Sequence, residues 1–304
     1  MTVHVRSNRL HTTVPCAGAN SLAMLSTDPE TRTAIVFVHG YLGHPMSTWS
    51  QFHDATRLCG DATWNTSDLY FLGYDSTKLD VRGASEILLR FLRELLPRPP
   101  VGLFESTYQD RRLTVRPEIA EYHELYLIGH SLGGVVIRNA IRLGLRDKIR
   151  RVPPENIGSD AEALFGARTV ECYLANAHLR LFAPAIGGSR LSGWLGVAEA
   201  FGRPTMAWSR SKAELDQSSA VLTEIRRETE RFAAKMTKLR AFTAQIAWAG
   251  DDKVVIPLEY EHDDVGKYFP EATHKSICKP SKKFLMPLDF IGLGNGVTQA
   301  TKEA

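Results

Sequence analysis

The chain has 304 residues, 43% of them hydrophobic and 23% charged, ordinary values for a globular protein with a real core. A formal net charge of +3 is too weak to argue for a nucleic-acid partner. Residues 1–15 carry no apolar run of the kind a secretory leader needs. No stretch approaches the roughly 20 apolar residues of a spanning helix, so the expected location is cytoplasmic. Cys16, Cys59, Cys172 and Cys278 lie far apart without a CxxC pair and read as reduced, mostly packed thiols rather than a disulfide framework.

In chain order, Thr33–Val38 (TAIVFV) is a β-branched run that predicts a buried strand ending at His39-Gly40. Trp49–Leu58 fits a helix, Asp68–Gly73 (DLYFLG) a second strand, and Val81–Leu96 an amphipathic helix. Pro97–Pro117, rich in Pro and Arg, reads as a surface excursion. Glu124–Gly129 (ELYLIG) predicts a strand that runs into a glycine-rich turn and a helix from Leu132 to Leu143. Leu179–Pro184 and Ala244–Gly250 complete the expected strands. Strands alternating with helices imply a mostly parallel central sheet with helices on both faces. We expect one domain over residues 1–304, with its core at about 33–184 and 241–290 and an inserted cap at about 185–240. Within the cap, Ser189–Arg210 carries Leu191, Trp194, Leu195, Val197, Phe201, Met206 and Trp208 among glycines and arginines. That composition suits a mobile lid with peripheral membrane contact.

Gly129-His130-Ser131-Leu132-Gly133 matches G-x-S-x-G between a strand and a helix, the context in which a serine becomes a nucleophile. A sharp strand-to-helix turn lifts the serine clear of the sheet and leaves no room for side chains two residues to either side. The amide of Leu132 is then one expected oxyanion donor. The loop after Thr33–Val38 supplies the other, with Tyr41 preferred over Leu42. The motif's chain order is Ser, acid, His. His274, in a loop after the other candidates, is the expected base, because His178 precedes any acid and His262 follows Asp252 too closely. Gly250-Asp251-Asp252-Lys253-Val254-Val255 offers two carboxylates. An aspartate, a spacer and two apolar residues pick Asp252, and Asp251 reads as a turn former. The chemistry calls for no cofactor and no metal; His262-Asp263-Asp264, a weak cation motif, reads better as a solvated charge cluster.

FVHGYLGHPMSTW, LGYDS at Leu72–Ser76, LIGHSLGGVVIRNAI and HKSICKP together resemble the serine esterases of the α/β-hydrolase superfamily. Within it they resemble the lipase-like branch that includes a mitochondrial phosphatidylglycerol-remodelling protein. The resemblance covers about Thr33 to Pro280 and implies an α/β-hydrolase fold with a Ser131–Asp252–His274 catalytic triad. It also implies a small-molecule or lipid ester as substrate and a place in lipid metabolism. An acyltransferase with the same triad, or a ligand-binding protein of this fold that has lost catalysis, are the competing readings. One segment departs from the branch. Where it carries Thr-Pro-His-x-Gly-Ser, this chain has Ala183-Pro184-Ala185-Ile186-Gly187-Gly188-Ser189, without a histidine.

Overall fold

The computed structural model describes residues 9–16, 19–108, 111–114, 116, 119–189, 214 and 219–293. The sheet begins earlier than the expected core. β1 (Arg9–Cys16) and β2 (Ala19–Ser26) form an antiparallel hairpin that the polar-looking amino terminus did not suggest. β3 (Thr33–Val38) and β4 (Ser67–Leu72) follow. β5 (Glu105–Tyr108) and β6 (Arg111–Thr114) make a separate hairpin inside the Pro- and Arg-rich excursion. β7 (Glu124–His130), β8 (His178–Phe182), β9 (Ala244–Asp251) and β10 (Lys267–Thr273) complete an eight-stranded sheet of order β1-β2-β4-β3-β7-β8-β9-β10. Every pairing from β4 to β10 is parallel, whereas β2 runs antiparallel to both neighbours.

Burial of β3, β4 and β7 on both faces explains their continuous apolar runs. One face is covered by aromatic rings: Phe37 stacks on Phe71 at 4.8 Å and meets Trp49 and Phe52 at about 5 Å. The region expected as a helix at Trp49–Leu58 is a 3-10 turn, Ser50–Asp54, continued by a single α turn, α1 (Ala55–Cys59). The opposite face carries α2 (Val81–Leu95) and α3 (Leu132–Arg150), joined by the Ser85 hydroxyl, which donates to the Val136 carbonyl. Asp80 starts α2 by accepting from the Gly83 amide at 2.6 Å. Two short helices, α4 (Ala161–Phe165) and α5 (Val170–Asn176), lead into β8.

α6 (Ala220–Lys235) falls in the segment expected as cap, yet it packs on α3 as part of the helical layer. Its polar composition hides a buried stripe of Leu222, Ile225, Thr229 and Phe232 at helical spacing. Glu228 is buried as well, because Arg142 and Arg150 pair with it at 2.6 and 2.8 Å. The lid candidates Leu191, Trp194, Leu195, Val197, Phe201, Met206 and Trp208 lie outside the described residues. No helix among the described residues is long and apolar enough to cross a membrane.

At the amino-terminal end of β4, Asp68 is fully buried against Arg116 (2.7 Å) and the Tyr122 hydroxyl (2.6 Å). A buried carboxylate without such partners would be strongly destabilising. The other end of the sheet carries the loops of interest. β10 is an edge strand whose register against β9 shifts between Phe269, opposite Ala249, and Thr273, opposite Asp251. The extra residues form a bulge immediately before His274. α7 (Met286–Ile291) then returns the chain to the aromatic face, where Phe290 meets Phe182 at 5.0 Å.

Candidate functional site

Ser131 sits between β7 and α3 with φ 54° and ψ −122°, a conformation that costs a non-glycine residue roughly 1–3 kcal/mol. The surroundings hold it there. Its amide donates to the Phe182 carbonyl at 3.1 Å, and its carbonyl accepts from Gly134 (3.0 Å) and Ala185 (3.1 Å). The following helix packs so tightly under β3 that a Cβ on Gly133 would lie 2.0 Å from the Val38 carbonyl oxygen. Only glycine fits. The positive end of α3, starting at Leu132, therefore faces the serine.

The loop after β3 is braced from within. The His39 ring stacks on Tyr74 at 4.3 Å, and its Nδ1–H donates to the Gly40 carbonyl at 2.9 Å. Burial lowers the His39 pKa to about 4, so the ring stays neutral, and the Tyr74 hydroxyl ties down the His39 carbonyl at 2.6 Å. A Cβ on Gly40 would come within 2.8 Å of Ser131 Cβ, so this backbone lies directly against the serine. Leu42 has φ 54°, and its amide donates to Ser76 Oγ at 2.9 Å. That bond commits the Leu42 amide to the loop after β4. Tyr74 and Ser76 belong to the LGYDS segment. Their bracing role was not read from the sequence, although the motif itself was the available signal.

Asp252 follows β9 and is 7% exposed, while Asp251 is exposed and lies 4.0 Å from Lys253 Nζ. Asp252 Oδ1 accepts from the amides of Val254 (2.8 Å) and Val255 (3.1 Å). Asp252 Oδ2 accepts from His274 Nδ1 at 2.9 Å. Burial pushes the carboxyl's pKa up, but the His274 bond and charge and the two amides outweigh it, holding the pKa below the ordinary value. His274 is buried too, and its Nε2 makes no hydrogen bond among the described residues.

His130 Nε2–H donates to the His274 carbonyl at 2.8 Å, and the two rings are 4.8 Å apart. Burial first, then the neighbouring His274, lower the His130 pKa to about 3, so it acts as a neutral strut. The base candidate thus rests on the residue preceding Ser131. The departing segment 183–189 contacts both the serine turn and the loop after β9. The Ala185 amide reaches Ser131, and the Ser189 hydroxyl donates to the Val254 carbonyl at 3.1 Å.

The other histidines after Ser131 lie elsewhere. His178, at the far end of β8, pairs with Glu124 at 2.6 Å. In the weak cation motif Asp263 is internal, held by Arg138 at 2.5 Å and by the amides of Ala244 and Tyr260 at 2.9 Å each. Cys172 and Cys278 are buried free thiols, and burial pushes the Cys278 pKa up to about 12.

The strand order, the antiparallel second strand and a serine elbow after the fifth strand of the main sheet define the α/β-hydrolase fold. The sequence matches no protein-family model and no curated protein. Among solved structures the chain is similar to the mature lipase BlEst2 of Bacillus licheniformis: 18% identity over 88% of this chain and 93% of that one, TM-score 0.47. It is similar also to Est1E of Butyrivibrio proteoclasticus, with 16% identity, coverage of 92% and 96%, and TM-score 0.47. Phospholipase PlaB of Legionella pneumophila matches with 15% identity over 71% of this chain and 39% of that chain, TM-score 0.45.

Proposed function

We propose that the protein is a serine hydrolase that cleaves carboxylic esters, lipid or other acyl esters, through an acyl-enzyme on Ser131. The observation that carries this reading is the state of His274. Its Nδ1–H is fixed by buried Asp252, its Nε2 is buried without a hydrogen bond, and its backbone is tied to the residue before a strained serine. A buried polar atom left unbonded costs roughly 1–3 kcal/mol, and a base poised for a proton accounts for it.

His274 Nε2 takes the Ser131 proton as Oγ attacks the ester carbonyl. Asp252 holds the reactive tautomer and stabilises the imidazolium. The amides of Leu132 and Tyr41 receive the oxyanion, aided by the positive end of α3. As the tetrahedral intermediate collapses, His274 returns the proton to the leaving alcohol. Water, deprotonated by the same imidazole, then hydrolyses the acyl-serine.

The test is a fluorophosphonate probe together with hydrolysis of p-nitrophenyl butyrate. Wild type should be labelled and Ser131→Ala should not, with turnover falling on the order of a million-fold. Near-wild-type hydrolysis by Ser131→Ala would sink the proposal.

A further inference from the structure

A cavity of about 150 Å³ lies between the loop after β3 and the residues that follow His274, with Gly40, His130 and Lys275, neighbours of Ser131 or His274, in its wall. Waters in the liquid occupy roughly 30 Å³ each, so the space equals about five of them. Sites for whole small-molecule ligands run from about 300 Å³ upward, so this cavity fits one polar group of a larger molecule.

Its lining gives the sign of that group. Lys275 and Lys279 both line it, and neither an aspartate nor a glutamate is among the described lining residues. Lys279 makes no ion pair with any described residue, and its charge is felt at His130, which also lines the cavity. Polar side chains add to the wall. His44 accepts from the Met46 amide on Nδ1, which places its ring proton on Nε2 as a donor, and Ser47 and Thr48 supply hydroxyls.

The position gives the half of the substrate. Gly40 is in the wall and is also in contact with Ser131, so the cavity begins one residue's width from the reacting atoms. The leaving oxygen must receive its proton from His274 Nε2, so the alcohol half of an ester lies on the His274 side of Ser131. Lys275, Cys278 and Lys279 of the same loop form that side of the cavity.

We propose that this cavity binds an anionic group, a phosphate or carboxylate, carried on the alcohol half of the substrate ester. The assignment rests on the ester-hydrolase reading. Lys279 is the principal contact, as a charge-assisted hydrogen bond.

The experiment compares kcat/KM for 1-butyrylglycerol and 1-butyrylglycerol 3-phosphate, which share one acyl group and differ in the anion. Hydrogen bonds to charged groups contribute about 1.5–3 kcal/mol, so wild type should prefer the phosphorylated ester by roughly 10- to 150-fold. In Lys279→Met that ratio should fall toward one. An equal rate on both esters in wild type, or a ratio unchanged by Lys279→Met, overturns the proposal. Calorimetric titration with glycerol 3-phosphate and with inorganic phosphate reads binding without catalysis. If neither ester is cleaved, the hydrolase reading fails separately, and glycerol 3-phosphate binding weakened by Lys279→Met still sustains the anion site. Absence of that binding overturns it. Binding of inorganic phosphate with no preference for the phosphorylated ester overturns its assignment to the substrate.

Discussion

Replacing Asp252 by Asn is the sharpest probe of the proposed chemistry, because the surroundings dictate how the amide must sit. Oδ1 accepts two backbone amides, from Val254 and Val255. An Asn must place its oxygen there, since turning its NH₂ toward them leaves buried donors opposed at roughly 1–3 kcal/mol each. Its NH₂ then stands where Oδ2 stood, 2.9 Å from His274 Nδ1, and donates. His274 must answer with an Nδ1 lone pair, and its ring proton moves to Nε2. In that tautomer Nε2 cannot take a proton from Ser131. The same tautomer error in well-studied triads lowers turnover about ten-thousand-fold, or about 5 kcal/mol at 1.36 kcal/mol per decade. The assay is kcat for p-nitrophenyl butyrate, with circular dichroism to show that the variant is folded. Asp251→Asn, at an exposed side chain whose one ion pair among the described residues is with Lys253 at 4.0 Å, should change kcat by less than about twofold. Asp252→Asn within tenfold of wild type, or Asp251→Asn as the more damaging change, would refute the argument.

Gly133→Ala should lower the melting temperature by on the order of 5 °C, because its Cβ would lie 2.0 Å from the Val38 oxygen and neither backbone can move cheaply. Gly102→Ala, with open space at its Cβ, is the control and should melt near wild type. Stability should also decline as pH falls below about 6.5, the ordinary histidine pKa. His39 and His130 have folded-state values lowered to about 4 and about 3, so below pH 6.5 the unfolded chain binds protons the folded one cannot. Each buried ring then contributes a loss of about 1.4 kcal/mol per pH unit until its folded pKa is reached. Urea unfolding between pH 7 and 5 measures this slope. His130→Gln, which keeps a donor in reach of the His274 carbonyl, should make it shallower, whereas identical slopes would count against neutral burial of His130.

The central parallel strands β3, β4 and β7 were legible because each is buried on both faces and shows an apolar run, as at Thr33–Val38 and Glu124–His130, whereas the mostly exposed parallel strand β10 was not expected. The hairpin at Arg9–Ser26 was not, since its alternation of polar and apolar residues includes His11 and buried Arg9, whose guanidinium donates to the Met24 and Ser67 carbonyls. α6 was misplaced for a related reason: buried Glu228 reads as a surface residue until Arg142 and Arg150 are seen beside it. In the site, the identities of Ser131, Asp252 and His274 could be argued from motif and chain order. The supports could not. His130, Tyr74 and Ser76 act through backbone carbonyls and amides, and such contacts leave no periodic trace in a sequence.

The bulge in β10 has a consequence for association between copies of the chain. Among the described residues β10 pairs only with β9, so its outer side is an edge at which another strand could add. Pro270, which has no amide hydrogen, falls in the shifted stretch, and Lys267 opens the strand. Both features disfavour an incoming ladder. The same shift sets where His274 leaves the sheet. A variant that straightened β10 to regular pairing would therefore couple two defects, a displaced imidazole and an edge open to intermolecular strand addition. Light scattering and esterase activity measured on one such sample should change together.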